Sequence, residues 1–210
     1  MINILIADDH ELIREGLKKI LKKEADMEVL CEARDANEIF EQVKNKKLNI
    51  VLLDISMPGL SGLDVLTELR QNYSKLPVLI LSMHPEDRFA VRALKGGAAG
   101  YITKDSAVTE LVKAIRKVIA GGKYVSVRLA EKLADDLGNG NDQPLHQALS
   151  DREFQVMRLV AAGTKVSEIA AELSLSVSTV NTYRARILEK MKMATNVELT
   201  RYAIENHLIE

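Results

Sequence analysis

The sequence predicts an α/β domain built on a doubly wound, five-stranded parallel sheet, followed by a smaller all-α domain of four helices. Three observations lead there. Short β-branched runs alternate with amphipathic stretches from residue 1 to residue 121. The runs at Ile4 to Ala7, Ile50 to Leu53 and Val78 to Leu81 are continuously apolar, as strands covered by helices on both faces must be. From Ser150 onward only helical periodicity remains. With 210 residues the chain has room for two cores.

Strands are expected at Ile2 to Ala7, Glu28 to Ala33, Ile50 to Leu53, Val78 to Leu81 and Gly100 to Ile102, with helices in the gaps. Asp35 has the side chain of a helix N-cap, and Gly121-Gly122 closes the last helix of this region. Gly96, Gly97 and Gly100 most simply end a helix and turn into the last strand. Five βα units of this size fit the flavodoxin-like strand order better than the larger dinucleotide-binding one. An amphipathic stretch at Arg128 to Leu137 precedes the polar breaker cluster from Gly138 to Pro144. The expected boundaries are therefore a first domain at 1–121, a linker with one short helix at 122–148, and a second domain at 149–210. Helices in the latter are expected near 150 to 162, 166 to 173, 177 to 193 and 196 to 206.

Apolar residues at 47% and charged residues at 28% exclude a wholly disordered chain. No segment approaches the roughly 20 apolar residues of a membrane span, so no membrane partner is expected. Met1 to Ala7 carries no basic leader or small-residue cleavage site, and Cys31, the only cysteine, rules out an internal disulfide; a reducing cytoplasm is the expected compartment. Cys31 reads as a small core residue. The net charge of −1 does not by itself point to nucleic acid.

Chemistry gathers where the strands end. Asp8 and Asp9 follow the first strand, Asp54 ends the third, Ser82 ends the fourth and Lys104 lies just past the fifth. In a parallel sheet these positions project to one edge, where ligands of open α/β sheets bind. Three carboxylates there repel one another by about 1 kcal/mol per 4 Å pair in water and about 4 kcal/mol at an effective dielectric near 20. Lys104 offsets one charge. A hard divalent cation with oxygen ligands, Mg²⁺, completes the balance. Metal, carboxylate, hydroxyl and ammonium together suit phosphoryl transfer, with the central Asp54 as nucleophile. An acidic pair after a strand also serves as a turn or helix cap, which explains Asp8-Asp9 alone and not all four placements.

Ile4 to His10, Leu53 to Gly59, Leu81-Ser82 and Tyr101 to Lys104 resemble the receiver domains of two-component systems, over roughly residues 1 to 121. The resemblance implies Asp54 as phosphoacceptor, metal contacts from Asp9, Asp54 and the Ser56 backbone carbonyl, and Asp8 assisting through water. It also implies Ser82 and Lys104 as phosphoryl ligands, Ser82 and Tyr101 as the switch pair, and Ser56 and His84 as positions that influence phosphate loss. Arg14, Lys18, Lys19, Lys22 and Lys23 read as a basic, solvated face on the helix where this family meets its sensor histidine kinase.

Val166 to Leu173, Ser174-Leu175-Ser176 and Val177 to Met193 read as helix, short turn and second helix. At 100° per residue, Val180, Tyr183, Ile187 and Met191 share an inward side, leaving Ser178, Asn181, Thr182, Ala185, Arg186 and Glu189 outward. Small hydrogen-bonding residues at the start of such a helix suit the major groove of double-stranded DNA. From Leu149 to the end, eight basic residues meet eight acidic ones, so affinity must come from local charge at Arg184, Arg186, Lys190 and Lys192. Leu149 to Glu153, Glu168-Ile169-Ala170 and Ser178-Thr179-Val180 resemble the LuxR-type helix-turn-helix and, with the receiver, the NarL/FixJ class. Asn181 stands where lysine is usual and Tyr183 where histidine is usual, so a lysine base contact is not carried over. The expected DNA contacts are Ser178, Thr179, Asn181, Thr182, Arg184, Ala185, Arg186 and Lys190.

The expected function is a phosphorylation switch that governs DNA binding, with homodimerisation on paired half-sites through the last helix, where Val197, Leu199, Tyr202 and Ala203 serve either pairing or the core. An aspartyl-phosphate phosphohydrolase would carry a second acid two residues after the nucleophile, where Ser56 stands. A turnover enzyme is therefore not expected. A phosphorylation-independent DNA binder or an interaction module is the other alternative.

Overall fold

The computed structural model describes residues 1–57, 60–83, 86–138 and 144–209. The chain forms two compact units, Met1–Gly138 and Asn139–Glu210.

In the first unit, five strands, β1 (Ile2–Ala7), β2 (Met27–Ala33), β3 (Ile50–Asp54), β4 (Val78–Ser82) and β5 (Gly100–Thr103), form one parallel sheet in the order β2-β1-β3-β4-β5. This is the flavodoxin-like order. The sheet is threaded by α1 (Glu11–Leu21), α2 (Ala36–Asn45), α3 (Gly62–Asn72), α4 (Glu86–Lys95) and α5 (Ala107–Ile119). Side chains alternate across the sheet. Ile4, Ile6, Ile50, Leu52, Leu79, Leu81 and Ile102 face a core shared with Leu17 and Leu21 of α1 and Leu111 and Ile115 of α5. The intervening Leu5, Val51, Leu53, Ile80 and Tyr101 are equally buried on the other face. Two buried faces explain why the inner strands read as unbroken apolar runs. Asp35 caps α2 as expected, accepting from the Glu38 N–H at 3.0 Å.

The sheet unit extends past the expected boundary. Tyr124 pairs with Gly100 along the edge of β5, its carbonyl accepting from the Tyr101 N–H at 3.2 Å. A Cβ on Gly100 would lie 2.5 Å from that carbonyl, so this strand needs its glycine for close approach rather than as a turn. A sixth helix, α6 (Val127–Gly138), packs on α4, and the Ser126 hydroxyl bonds the Glu86 carboxylate. The breaker residues 139–143 of the expected linker lie outside the described residues.

The second unit contains α7 (Asp151–Ala161), α8 (Val166–Glu172), α9 (Val177–Lys190) and α10 (Asn196–Glu205), preceded by a 3-10 turn at Leu145–Ala148 that the sequence did not suggest. Phe154, Met157, Ile169, Val180, Ile187, Met191, Leu199 and Ala203 are its buried core. Each long helix begins on a hydroxyl: Ser150, Ser176 and Thr195 accept from the N–H of Glu153, Thr179 and Glu198.

Candidate functional site

Strand register assembles the acidic site. Ala7 pairs with Leu53, Asp54 with Leu81, and Ser82 with Thr103, so Asp8, Asp54, Ser82 and Lys104 meet at adjacent strand ends. The strand order reverses between β1 and β3, which opens a crevice between their carboxyl ends. One carboxylate oxygen each from Asp8, Asp9 and Asp54 and a ring nitrogen of His10 lie within 4.8 Å of one another. His10 is the member the sequence reading missed: its Nδ1 is 2.8 Å from Asp9 Oδ1, and its N–H donates to Asp8 Oδ1 at 2.9 Å.

Lys104 bridges the two buried acids. Its Nζ donates to Asp54 Oδ2 at 2.8 Å and lies 2.7 Å from Asp8 Oδ2, a charge contact without hydrogen-bond alignment. Burial pulls the Lys104 ammonium down, but Asp54 and Asp8 outweigh it and hold the pKa above its ordinary value. Burial pushes the Asp54 carboxyl up; Lys104 opposes the rise and Asp8 adds to it. Asp54 Oδ1 and Asp8 Oδ2 are buried without a hydrogen bond. Buried oxygens in that condition are costly and suited to a hard cation, so this donor set fits Mg²⁺.

The remaining residues fall into place around this centre. Ser82 is fully buried at the end of β4, and its carbonyl accepts from the Lys104 N–H at 2.8 Å. Ser56 is exposed just past β3. Tyr101 is wholly buried three residues before Lys104, in the core rather than in the carboxylate cluster. Pro58, Gly59 and His84 lie outside the described residues. Gly62 opens α3 against the Asp54 carbonyl, where a Cβ would lie at 2.1 Å; only glycine lets this helix reach the acidic strand end.

Arg14 corrects the sequence reading. It is buried, not part of a solvated basic face: Nη1 donates to the Asp8 carbonyl at 2.8 Å and Nε to Glu32 at 2.9 Å. It ties the first turn of α1 to the backbone that carries the acidic pair. Lys18 joins the same Glu32 at 2.7 Å, whereas Lys19, Lys22 and Lys23 are exposed as expected.

In the second unit α8, the turn Leu173 to Ser176, and α9 form the helix pair. Ser178, Asn181, Thr182, Ala185, Arg186 and Glu189 are all exposed, while Val180, Ile187 and Met191 are buried and Tyr183 half-buried. Thr179 and Arg184 flank the exposed face and are half-buried. Val177, half exposed at the first turn, is an apolar group on this end that the periodicity did not flag.

The first turn of α7 fixes that face. Arg152 is buried and its Nη2 donates to the Leu173 carbonyl at 2.6 Å, clamping the turn between α8 and α9. Glu153 completes a capping box with Ser150 and holds Lys190 Nζ at 2.6 Å. Burial pushes the Glu153 carboxyl up, yet Lys190 and the Ser150 N–H and hydroxyl prevail and lower it. Lys190, exposed at the end of α9, therefore also serves the fold. On α10, Leu199 and Ala203 are buried and Tyr202 bonds His146 at 2.8 Å. Of the residues expected to pair, Val197 is exposed, and Ile204 joins it.

Known proteins carry the same parts. Residues 4–116 match the response regulator receiver domain, and residues 147–203 match the bacterial regulatory proteins of the luxR family. The chain is 35% identical to the response regulator UvrY of Escherichia coli over 209 residues, covering 99% of this chain and 96% of that one. It is 36% identical to the response regulator GacA of Pseudomonas protegens over 211 residues, covering 100% and 99%. Among solved structures it is similar to RcsB from Salmonella enterica serovar Typhimurium bound to promoter P1flhDC in the presence of phosphomimetic BeF3⁻, with 25% identity, a TM-score of 0.61, and 96% and 97% of the two chains covered. The chain belongs to the two-component response regulators of the NarL/FixJ class, in which a receiver domain precedes a LuxR-type helix-turn-helix.

Proposed function

We propose that this transcriptional regulator accepts a phosphoryl group on Asp54 from a sensor histidine kinase and thereby controls DNA binding by α9. The observation that carries the reading is the Asp54 carboxylate: buried, held by Lys104 through Oδ2, with Oδ1 lacking a hydrogen bond at the mouth of the β1/β3 crevice. In the transfer, an Asp54 oxygen attacks phosphorus in line, the P–N bond to the kinase histidine breaks, and its electron pair stays on the imidazole. Lys104 follows the new charge from carboxylate to phosphoryl oxygens, and the Ser82 hydroxyl supplies a second donor. Asp9, Asp54 and the Ser56 carbonyl would hold Mg²⁺, with Asp8 assisting through water. When bound, the ion neutralises phosphoryl oxygens and removes the repulsion among the acids.

Phosphorylation replaces one carboxylate charge by about −1.5 to −2 and adds acceptor oxygens. Switching a two-state equilibrium from 1:99 to 99:1 requires roughly 5.5 kcal/mol, which the Ser82 and Lys104 contacts must pass to a shared element, with Tyr101 the aromatic closest to them in sequence on β5. Ser178, Thr179, Asn181, Thr182, Arg184, Ala185 and Arg186 then face DNA. A homodimer formed through Val197 and Ile204 of α10 reads paired half-sites, which offsets the modest charge of a single copy. The cytoplasm is the compartment of such a regulator; no described helix is long and apolar enough to cross a membrane.

The test is recovery of bound genomic fragments by wild type and Asp54→Ala, each with and without a small phosphodonor and Mg²⁺. Donor-dependent tightening in wild type alone is the expected result. Equal binding by both proteins under all conditions overturns the switch.

A further inference from the structure

The amino-terminal edge of the sheet, opposite the acidic site, has its own chemistry. A cavity of about 400 Å³ opens there, bounded by Asn49, Pro77 and Ala99, the residues that lead into β3, β4 and β5, and by the loop after α5. Three cations line it, Arg70, Lys75 and Lys123, and no carboxylate is among its described lining residues. Arg70 sits in the last turn of α3, where a cation answers the helix dipole. Lys75 and Lys123 belong to no helix, so that explanation does not reach them.

Two of the three cations are anchored to main-chain carbonyls, and Lys75 is exposed. Lys123 is exposed but donates to the Ala98 carbonyl at 2.5 Å, and Arg70 Nη1 donates to the Ser74 carbonyl at 2.5 Å. Arg70 lies over Gly97, where a Cβ would come within 3.1 Å of its Cγ and Nε. Gly97 (φ +96°) and Gly121 (φ +86°) adopt backbone that glycine favours, which leaves bare main chain on the cavity wall. Burial and the neighbouring Arg70 both push the Lys123 ammonium down, the mark of like charges converging without an acid between them.

We propose that this edge is an anion site for a pyrophosphate group, either inorganic or carried by a nucleoside diphosphate, bound by Arg70, Lys75 and Lys123 against the glycine-lined wall. Two linked phosphates match three cations in charge, and the cavity lies in the size range of small-ligand sites. The site is remote from Asp54 and independent of its phosphorylation.

The experiment is a titration of the isotopically labelled full chain in metal-free buffer with inorganic pyrophosphate, ADP and, at equal ionic strength, sulfate, following backbone amides. Saturable shifts at Gly97, Gly121 and Gly122 with pyrophosphate or ADP, at least tenfold tighter than with sulfate, are expected; the tighter of the two names the source. The double variant Lys75→Gln/Lys123→Gln, whose glutamine keeps a donor for the Ala98 carbonyl, should weaken binding at least tenfold with an unchanged melting temperature. Shifts confined to α9, an equal response to sulfate, or undiminished affinity in a folded double variant each overturn the proposal.

Discussion

Replacing Asp54 with asparagine should stabilise the metal-free protein, although it removes a buried ion-pair partner. With an effective dielectric near 20, the 2.8 Å contact to Lys104 is worth about 6 kcal/mol to the Asp54 charge. An Asp8 oxygen within 4.8 Å returns about 3.5 kcal/mol of repulsion, and the more exposed Asp9 adds to it. The remaining attraction, about 2.5 kcal/mol, falls short of the several kcal/mol needed to desolvate a buried carboxylate. The raised Asp54 pKa has the same sign: this group's contribution to stability is complete below the ordinary carboxylate pKa and is lost as pH rises through the raised folded value. Asp54→Asn escapes that loss while keeping an acceptor for Lys104. The expected gain at neutral pH in chelator is about 1–3 kcal/mol, or roughly 3–8 °C in melting temperature. Calorimetry of the full chain would measure it, with the advantage shrinking towards about pH 4 as wild-type Asp54 protonates. Saturating Mg²⁺ should lift wild type by about 2.7 kcal/mol at a hundredfold excess over Kd and the variant by less. A variant less stable than wild type in chelator at neutral pH would refute the reasoning.

Three further outcomes follow from the geometry. Arg14→Met should cost about 2–4 kcal/mol, since it strands the Asp8 carbonyl and leaves Glu32 to Lys18 alone, and should slow phosphorylation of Asp54 by a phosphodonor even where the protein remains folded; chemical denaturation and phosphoprotein gels measure the two effects. Glu153→Gln should lower the melting temperature of the second unit at neutral pH. Its depressed pKa makes the wild-type contribution complete above about pH 4.5 and lost as pH falls through the folded value, so the gap should close in acid when melting is followed against pH. Arg186→Ala should weaken DNA binding and reduce the slope of log affinity against log salt by about 1, whereas Lys190→Ala should mainly lower stability; fluorescence anisotropy across a salt series separates them.

The acidic site was legible because its parts sit at strand ends, and strand ends are marked locally by apolar runs that stop on polar residues. Asp8, Asp54, Ser82 and Lys104 needed only a parallel register to meet. The exposed face of α9 was legible for a similar reason, since 3.6-residue periodicity places Asn181, Ala185 and Arg186 without knowledge of the partners. Arg14 was missed because its charge outweighed its position, although it shares a stripe with Leu17 and Leu21, the helical spacing that signals burial. The Lys190–Glu153 pair, 37 residues apart, left no local signal, and neither did the hold of Arg152 on the Leu173 carbonyl. Tyr124 lies just past a glycine pair that ends the helical pattern, and its role depends on the edge of β5, which only the folded sheet supplies.

The clamp formed by the first turn of α7 divides labour within the DNA-binding unit. Arg152 grips the turn ahead of α9 and Glu153 grips its far end, both from behind. The aim of the helix is thus set by buried residues behind it, and the outward residues make only local bonds, such as Thr182 Oγ1 to the Ser178 carbonyl. Such a reading head can be rewritten: Asn181, Thr182 and Ala185 are open to exchange for new target sequences while the mount that points them stays fixed.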